Sequence, residues 1–267
     1  MVRTQSSVPL TVLHVPHGAD VLPDEVRQSF IVSDACLSNE RLVSTDWFTR
    51  ELFALPPSEA TTVVFPVSRL VLDPERYLDD AIEPLSSRGR GVVYTHTADG
   101  RPLRGPAPSW DRAALVETYY RPHHGRLTAA VQAALDYWGQ CLLVDCHSFP
   151  SQPLPCDLDQ SPARPDICLG TDPTHTPPWL LDMASSRFAG AGLSVTVDWP
   201  YAGVLVPEKH AGTAPTVFAL MVEINRRLYL NEAIGTKRRE FADVATMIEG
   251  VLRELRLAAE ALQRRAI

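Results

Sequence analysis

The stretch "CLLVDCHSFPS" (141–151) runs an apolar strand-like segment straight into Asp145, His147 and Ser148. Short aliphatic runs that end at a proline or a polar cluster read as buried strands. One that ends on an acid and a histidine has two readings: a strand that surfaces and turns, or a metal or catalytic site at a strand's carboxyl end. In α/β sheets ligands bind outside the carboxyl ends of the strands. The rest of the chain therefore decides how this segment is read.

Six further runs have the same character: "LTVLHV" (10–15), "TTVVFPV" (61–67), "GVVYT" (91–95), "DICLG" (166–170), "LSVTVD" (193–198) and "TVFALMVEI" (216–224). Helical spacing lies between several of them. "STDWFTRELFALP" (44–56) has Ser44 or Thr45 as a candidate N-cap and stops before Pro56. The run 109–138 is helical in pattern, with Pro122 expected to break or kink it. At the carboxyl end, Phe241, Val244, Ile248, Val251, Leu252, Leu255 and Leu262 repeat at helical spacing, which gives an amphipathic helix over about 238–264. Strands alternating with helices predict an α/β fold, a mixed and largely parallel sheet flanked by helices, with 1–267 as a single domain. The Pro-, Gly- and charge-rich segments 72–90, 96–109 and 150–165 read as loops around the mouth of a site.

Composition excludes several classes. The chain has 267 residues, 45% of them hydrophobic, enough for a substantial core. Its 25 Lys and Arg against 32 Asp and Glu give a formal charge of −7, which disfavours nucleic acid or an anionic membrane as the main partner. The paired Arg226 and Arg227 read as a solvated face after a strand. No window approaches the roughly 18–20 apolar residues of a membrane span, and the amino terminus has no secretory pattern. The expected location is the cytoplasm. Five cysteines without CxxC spacing argue against a disulfide framework and a zinc knuckle. GxGxxG, P-loop and GxSxG patterns are absent.

Four of the apolar runs deliver polar chemistry as they end: "VLHVPHGAD" His17, "FPVSRLVLDPER" Arg69 and Arg76, "LLVDCHS" His147, and "LMVEINRRLY" Glu223. A lone histidine after a strand is usually a hydrogen-bonded structural residue. Glu223 is harder to explain that way, because it sits inside an apolar run and burial of an unpartnered carboxylate costs several kcal/mol. Two strand-end histidines and a carboxylate have the composition of a catalytic zinc site with one position open.

With these residues in view, the chain resembles the N-formylglutamate amidohydrolase family, zinc amidases related to the zinc carboxypeptidases. The likeness runs over about 11–235 and is carried by "VPHGAD" (15–20), "STDW" (44–47), "SRLVLDPER" (68–76), "YYRPHHGRL" (119–127), "LVDCHS" (143–148), "CLGT" (168–171), "WPYAGVLV" (199–206) and "LMVEINRRLYLNE" (220–232). It implies a zinc-carboxypeptidase-like fold, one zinc ion per chain, and hydrolysis of an N-formyl or N-acyl amide of an amino acid. His17 and His147 match the histidine ligands. For the acidic ligand the carboxypeptidase pattern points to Asp20 and the amidohydrolase pattern to Asp46, and Asp46 is favoured. Glu223 matches the general base, Arg69 the arginine that polarises the scissile carbonyl, and Arg76 the anchor of a substrate carboxylate. His124 and Tyr201 fall on pocket-lining positions.

Two departures bear on substrate. Where the family usually reads Asp-x-Asn-Arg this chain has Asp73-Pro74-Glu75-Arg76, and Asp198 replaces an asparagine before the Pro-Tyr pair. An added acid beside a carboxylate anchor should disfavour a diacid such as formylglutamate, so Glu75 is expected to bear on substrate binding. A peptidase acting on a small or modified peptide, and a ligand-binding relative without catalysis, are the competing readings.

Overall fold

The computed structural model describes residues 8–106 and 109–266. Its centre is a six-stranded sheet of β1 (Thr11–Val15), β2 (Ala60–Val64), β3 (Cys141–Phe149), β4 (Ile167–Gly170), β5 (Val195–Val197) and β6 (Val217–Asn225), ordered β2-β1-β3-β6-β4-β5. The pairs β1–β2, β1–β3, β3–β6 and β4–β5 are parallel, and β4 runs antiparallel to β6. The expected α/β class with a mixed, largely parallel sheet is what forms. The strands β1, β3 and β6 are adjacent and parallel, so their carboxyl ends open on one edge of the sheet.

The helices among the described residues are α1 (Asp24–Arg27), α2 (Asp34–Ser44), α3 (Thr49–Leu52), α4 (Arg112–Leu115), α5 (Arg121–Trp138), α6 (Pro178–Gly190) and α7 (Phe241–Ala266). The sheet is buried on both faces, as parallel strands require. On one face Leu142, Val144, Leu220 and Val222 meet Leu180, Ala184 and Phe188 of α6 and Ile248, Leu252 and Leu255 of α7. On the other, Val12, Leu143 and Ala219 meet Leu127, Val131 and Ala134 of α5. The apolar spacing of the last helix buries Ile248, Val251, Leu252 and Leu255 as expected, whereas Leu262 is 36% exposed and Ala259 takes the core position. No helix among the described residues is long and apolar enough to cross a membrane.

Three elements depart from expectation. The run 91–95 is buried coil: Val92 and Val93 lie in a second core with Phe65, Leu70 and Leu72, and the Val92 carbonyl accepts from Asp73 N at 2.8 Å. Burial alone made it strand-like, and periodicity cannot separate an apolar strand from apolar coil. Ser44 ends a helix instead of starting one. Ser33 caps α2, accepting from Cys36 N at 3.3 Å, and Thr45 is its extended C-cap. The chain then turns through Asp46 and left-handed Phe48 into α3. Pro122 does not break its helix either: the chain stays helical from Arg112 to Trp138, with a π-turn over Val116–Tyr120 just before the proline, where the hydrogen-bond ladder shifts.

Candidate active site

Alternation along β3 divides one sheet face into two zones. Cys141 and Leu143 join the α5 core, while Asp145 and His147, further along the same face, enter a polar site. Strand register does the rest. His147 pairs with Glu223 on β6, and Asp145 pairs with His14 on β1. His17 lies two residues beyond β1, on a turn whose carbonyl accepts from Asp46 N at 3.0 Å. Gly18 permits that approach, since a Cβ there would stand 2.7 Å from Thr49 Oγ1. The break between α2 and α3 thus delivers Asp46 to the histidines.

The two imidazoles lie 5.0 Å apart, centroid to centroid, and both are 3% exposed. His17 Nε2 is 2.8 Å from Asp73 Oδ1, and His147 Nε2 is 3.1 Å from Asp145 Oδ1. The Asp73 carboxylate only accepts, so His17 Nε2 carries a proton and a neutral His17 ring presents a lone pair at Nδ1; His147 makes its hydrogen bond through Nδ1 to Asp46, and its buried Nε2 has no hydrogen-bond partner. Both Nδ1 atoms face the same oxygen: Asp46 Oδ2 is 3.2 Å from His147 Nδ1 and 3.8 Å from His17 Nδ1. Two buried imidazoles and a carboxylate around one point have the composition that suits a shared divalent cation. His17 Nδ1 is buried without a hydrogen-bond partner. Tetrahedral zinc, with bonds of about 2.0–2.1 Å, holds its ligand atoms roughly 3.3 Å apart; the two Asp46 contacts lie near that, while the grouping of both histidines whose ligand atoms all fall within 4.8 Å of one another is the one with Glu75.

Asp46 is braced from behind. Arg226 Nη2 donates to Oδ1 at 2.9 Å and Ser148 N to Oδ2 at 3.2 Å. Burial raises the Asp46 carboxyl, but the hydrogen bond from His147, the adjacent His17 imidazole and the charge of Arg226 outweigh it and hold the group far below the carboxylate range. Arg226 is 3% exposed and also donates to the Val43 carbonyl at 2.7 Å, so the solvated-face reading is corrected for this residue. It holds for Arg227, which pairs with Asp166 at 2.8 Å and is 43% exposed. Asp20, the competing ligand candidate, pairs instead with Arg41 at 2.5 Å on the half-exposed side of the turn.

Glu223 stands in the cavity wall 7% exposed, with Oε2 lacking a partner. Burial pushes its carboxyl up to about 7; His147 pulls it back, and the charges of Asp46 and Glu75 add to the rise. Arg69 spends Nε and Nη2 on Asp73 at 3.1 and 2.6 Å and also meets Tyr94, leaving Nη1 without a hydrogen bond to a described residue. Arg76 is the freer cation: only its Nε approaches acids, Asp73 at 3.6 Å and Glu83 at 3.9 Å. Glu75 turns away from it. Its Oε2 lies 3.1 Å from His147 Nε2 and 3.8 Å from His17 Nε2, and Oε1 is unpartnered. His17, Glu75 and His147 consequently form a second grouping, on the Nε2 edges, that could hold a metal.

His124 donates Nε2–H to the Pro74 carbonyl at 2.8 Å and stacks on Tyr120, fixing the turn that carries Glu75 and Arg76. Tyr201 donates to Asp157 Oδ2 at 3.2 Å. Asp198, at positive φ of 51°, accepts from Thr171 and Gly203 backbone amides and shapes the turn before Tyr201. All nine proposed site residues line one cavity of about 1360 Å³. Sequence reasoning missed Asp73, Arg226 and the role of Asp145 beside His147. A strand-end acid two residues before a histidine on the same face was the available signal for Asp145.

The model of the N-formylglutamate amidohydrolase family matches residues 10–230, nearly every element described above. The chain belongs to the N-formylglutamate amidohydrolase family. It is 30% identical over 258 residues to N-formylglutamate deformylase of Pseudomonas putida, covering 94% of this chain and 92% of that protein. The crystal structure of N-formylglutamate amidohydrolase from Ralstonia eutropha JMP134 superposes with a TM-score of 0.79 at 23% identity, over 98% of this chain and 96% of the other. A gene product of Agrobacterium tumefaciens follows at 0.63 and 20% identity, over 96% and 93%. Those two likenesses speak for the fold. Membership makes the chain an amidohydrolase.

Proposed function

We propose that this chain is a zinc-dependent amidohydrolase that cleaves an N-formyl or N-acyl amide of an amino acid. The observation that carries the reading is the pair of buried imidazoles, His17 and His147, whose Nδ1 atoms both face Asp46 Oδ2, with His17 Nε2 hydrogen-bonded to Asp73. Carboxylate–histidine pairs of this kind orient metal ligands and raise their basicity. His17, Asp46 and His147 would hold the ion. The Glu75 grouping is the weaker choice, because binding there would cost His17 its 2.8 Å hydrogen bond to Asp73. A zinc ion so held supplies Lewis-acid activation of water and of the scissile carbonyl.

The protein's own groups do the remainder. Glu223, partnerless and with its carboxyl near 7, takes the proton of the attacking water and delivers it to the leaving amine. Arg69 offers Nη1 to the oxyanion, a donor worth about 3 kcal/mol in comparable sites. Arg76 receives the substrate carboxylate, for which a planar guanidinium gives bidentate recognition that lysine lacks. His124 and Tyr201 shape the walls.

The substrate preference is proposed to shift away from diacids, because Glu75 adds a carboxylate that Arg76 does not neutralise. The zinc-loaded protein is to be assayed for formate release from N-formylglutamate and from neutral and basic N-formyl amino acids. Higher kcat/KM for neutral or basic substrates supports the shift; a clear preference for formylglutamate removes that part and leaves the deformylase reading intact. Failure to release any acid removes both. A second reading, hydrolysis of a short peptide, is favoured by the cavity volume of about 1360 Å³, above the ~300–1,000 Å³ common for small-ligand sites. Its product would be a free amino acid without formate.

A further inference from the structure

Behind Asp145 lies a chain of buried imidazoles that the reaction above does not use. His14 Nδ1 is 2.8 Å from Asp145 Oδ1, and His14 Nε2 is 2.8 Å from His123 Nε2. His123 Nδ1 in turn faces Arg126 Nη2 at 3.5 Å. His14 and His123 are fully buried, and Asp145 is 1% exposed. Phe65 packs edge-on against the His123 ring. Three elements contribute: β1 gives His14, β3 gives Asp145, and α5 gives His123 and Arg126.

The direction of the chain follows from its ends. An arginine only donates and a carboxylate only accepts. Arg126 therefore makes His123 Nδ1 an acceptor, which puts the His123 proton on Nε2, where it is given to His14 Nε2. That leaves the His14 proton on Nδ1, where it is given to Asp145. Each ring carries one proton in this pattern, with His14 Nδ1 facing the Asp145 carboxylate at 2.8 Å and Glu75 at 3.7 Å. Asp145 Oδ1 then accepts from His14 and lies 3.1 Å from His147 Nε2, while its Oδ2 accepts from Leu205 N at 3.2 Å. With hydrogen bonds from His14 to Oδ1 and from Leu205 N to Oδ2, the carboxylate is held beside His147.

We infer that His14 and His123 are positioning residues: a one-way hydrogen-bond relay from α5 locks Asp145, and through it the orientation of the His147 ring. The inference rests on His147 being a metal ligand, as proposed above. Outer partners of metal-ligating histidines are worth about 10–100-fold in metal affinity, and His14 acts one step further out. The grouping of His14, Glu75 and Asp145 could alternatively hold a cation of its own. The relay assigns those atoms to hydrogen bonds instead.

The test has two arms on the full chain. The first measures zinc affinity by competition with a chelator for wild type, His14→Phe, His14→Asn and His123→Leu, with thermal unfolding of each as a check on folding. His14→Phe is expected to lose about tenfold in affinity, His14→Asn to recover most of it because its amide nitrogen replaces Nδ1, and His123→Leu to fall between. Equal affinities in wild type and His14→Phe would overturn the relay while leaving the zinc reading in place. No zinc binding by wild type would overturn the zinc reading instead. A second zinc equivalent, lost in Glu75→Gln, would also overturn the relay by making His14 and Asp145 ligands. The second arm needs no metal and no variant: nitrogen-15 chemical shifts of the histidine rings should report His14 as the Nδ1–H tautomer and His123 as the Nε2–H tautomer. Protonated rings or the opposite tautomers would contradict the inference.

Discussion

Leu143 and His147 lie on the same face of the same strand, one turn of the pleat pattern apart from Asp145, yet they do opposite work. At the amino end of β3 the face meets Leu127, Val131 and Ala134 of α5 and is closed by apolar packing. At the carboxyl end the same face meets Asp46, Asp145, Glu75 and Glu223, and every close contact is electrostatic. The apolar end is held by burial, each large aliphatic side chain contributing about 1.5–3 kcal/mol. The polar end carries buried charge that costs stability unless a cation is shared among the acceptors. Stability and chemistry are thus separated along one strand by about two residues of rise.

Substitutions at the two ends should therefore behave differently. The largest effect is expected from Glu223→Gln, which removes the proton carrier and should lower kcat by about 10²–10⁴-fold with zinc still bound. Thermal stability should be equal or higher, since a buried unpartnered carboxylate becomes neutral; steady-state kinetics and unfolding curves check both. Leu143→Ala at the other end should cost about 2–5 kcal/mol of folding free energy and leave kcat per folded molecule unchanged. A large kcat loss there, with stability intact, would erase the distinction between the two ends. Next is Arg226→Met, which leaves Asp46 Oδ1 without its donor and should weaken zinc binding by about 10–100-fold, read by chelator competition. The smallest is Glu75→Asn, expected to raise kcat/KM for formylglutamate relative to neutral N-formyl amino acids by about tenfold, the size of one 1.4 kcal/mol charge effect.

Much of this division was legible in the sequence. The strands at 10–15, 141–146, 166–170 and 216–224 stood out because buried parallel strands are nearly continuous apolar runs. His17, His147 and Glu223 were visible because polar groups interrupt or end those runs. What was not legible depended on contacts distant along the chain. Val92 and Val93 have strand composition but find their partners in the coil at 70–73. Asp46 is favoured through the family resemblance alone; read locally it belongs to a helix start, whereas its position comes from a turn pinned to His17 and Thr49. Arg226 follows a strand and sits beside an exposed arginine, so nothing local marks it as the buried partner of Asp46, 180 positions away.

The central claim is that the shared cation sits on the Nδ1 side of the two histidines, with Asp46, and not on the Nε2 side with Glu75. Zinc content per chain, measured by plasma mass spectrometry for untagged wild type, Asp46→Asn and Glu75→Gln, tests it directly. The account predicts about one zinc in wild type and in Glu75→Gln, and its loss in Asp46→Asn. Zinc retained in Asp46→Asn and lost in Glu75→Gln would contradict it.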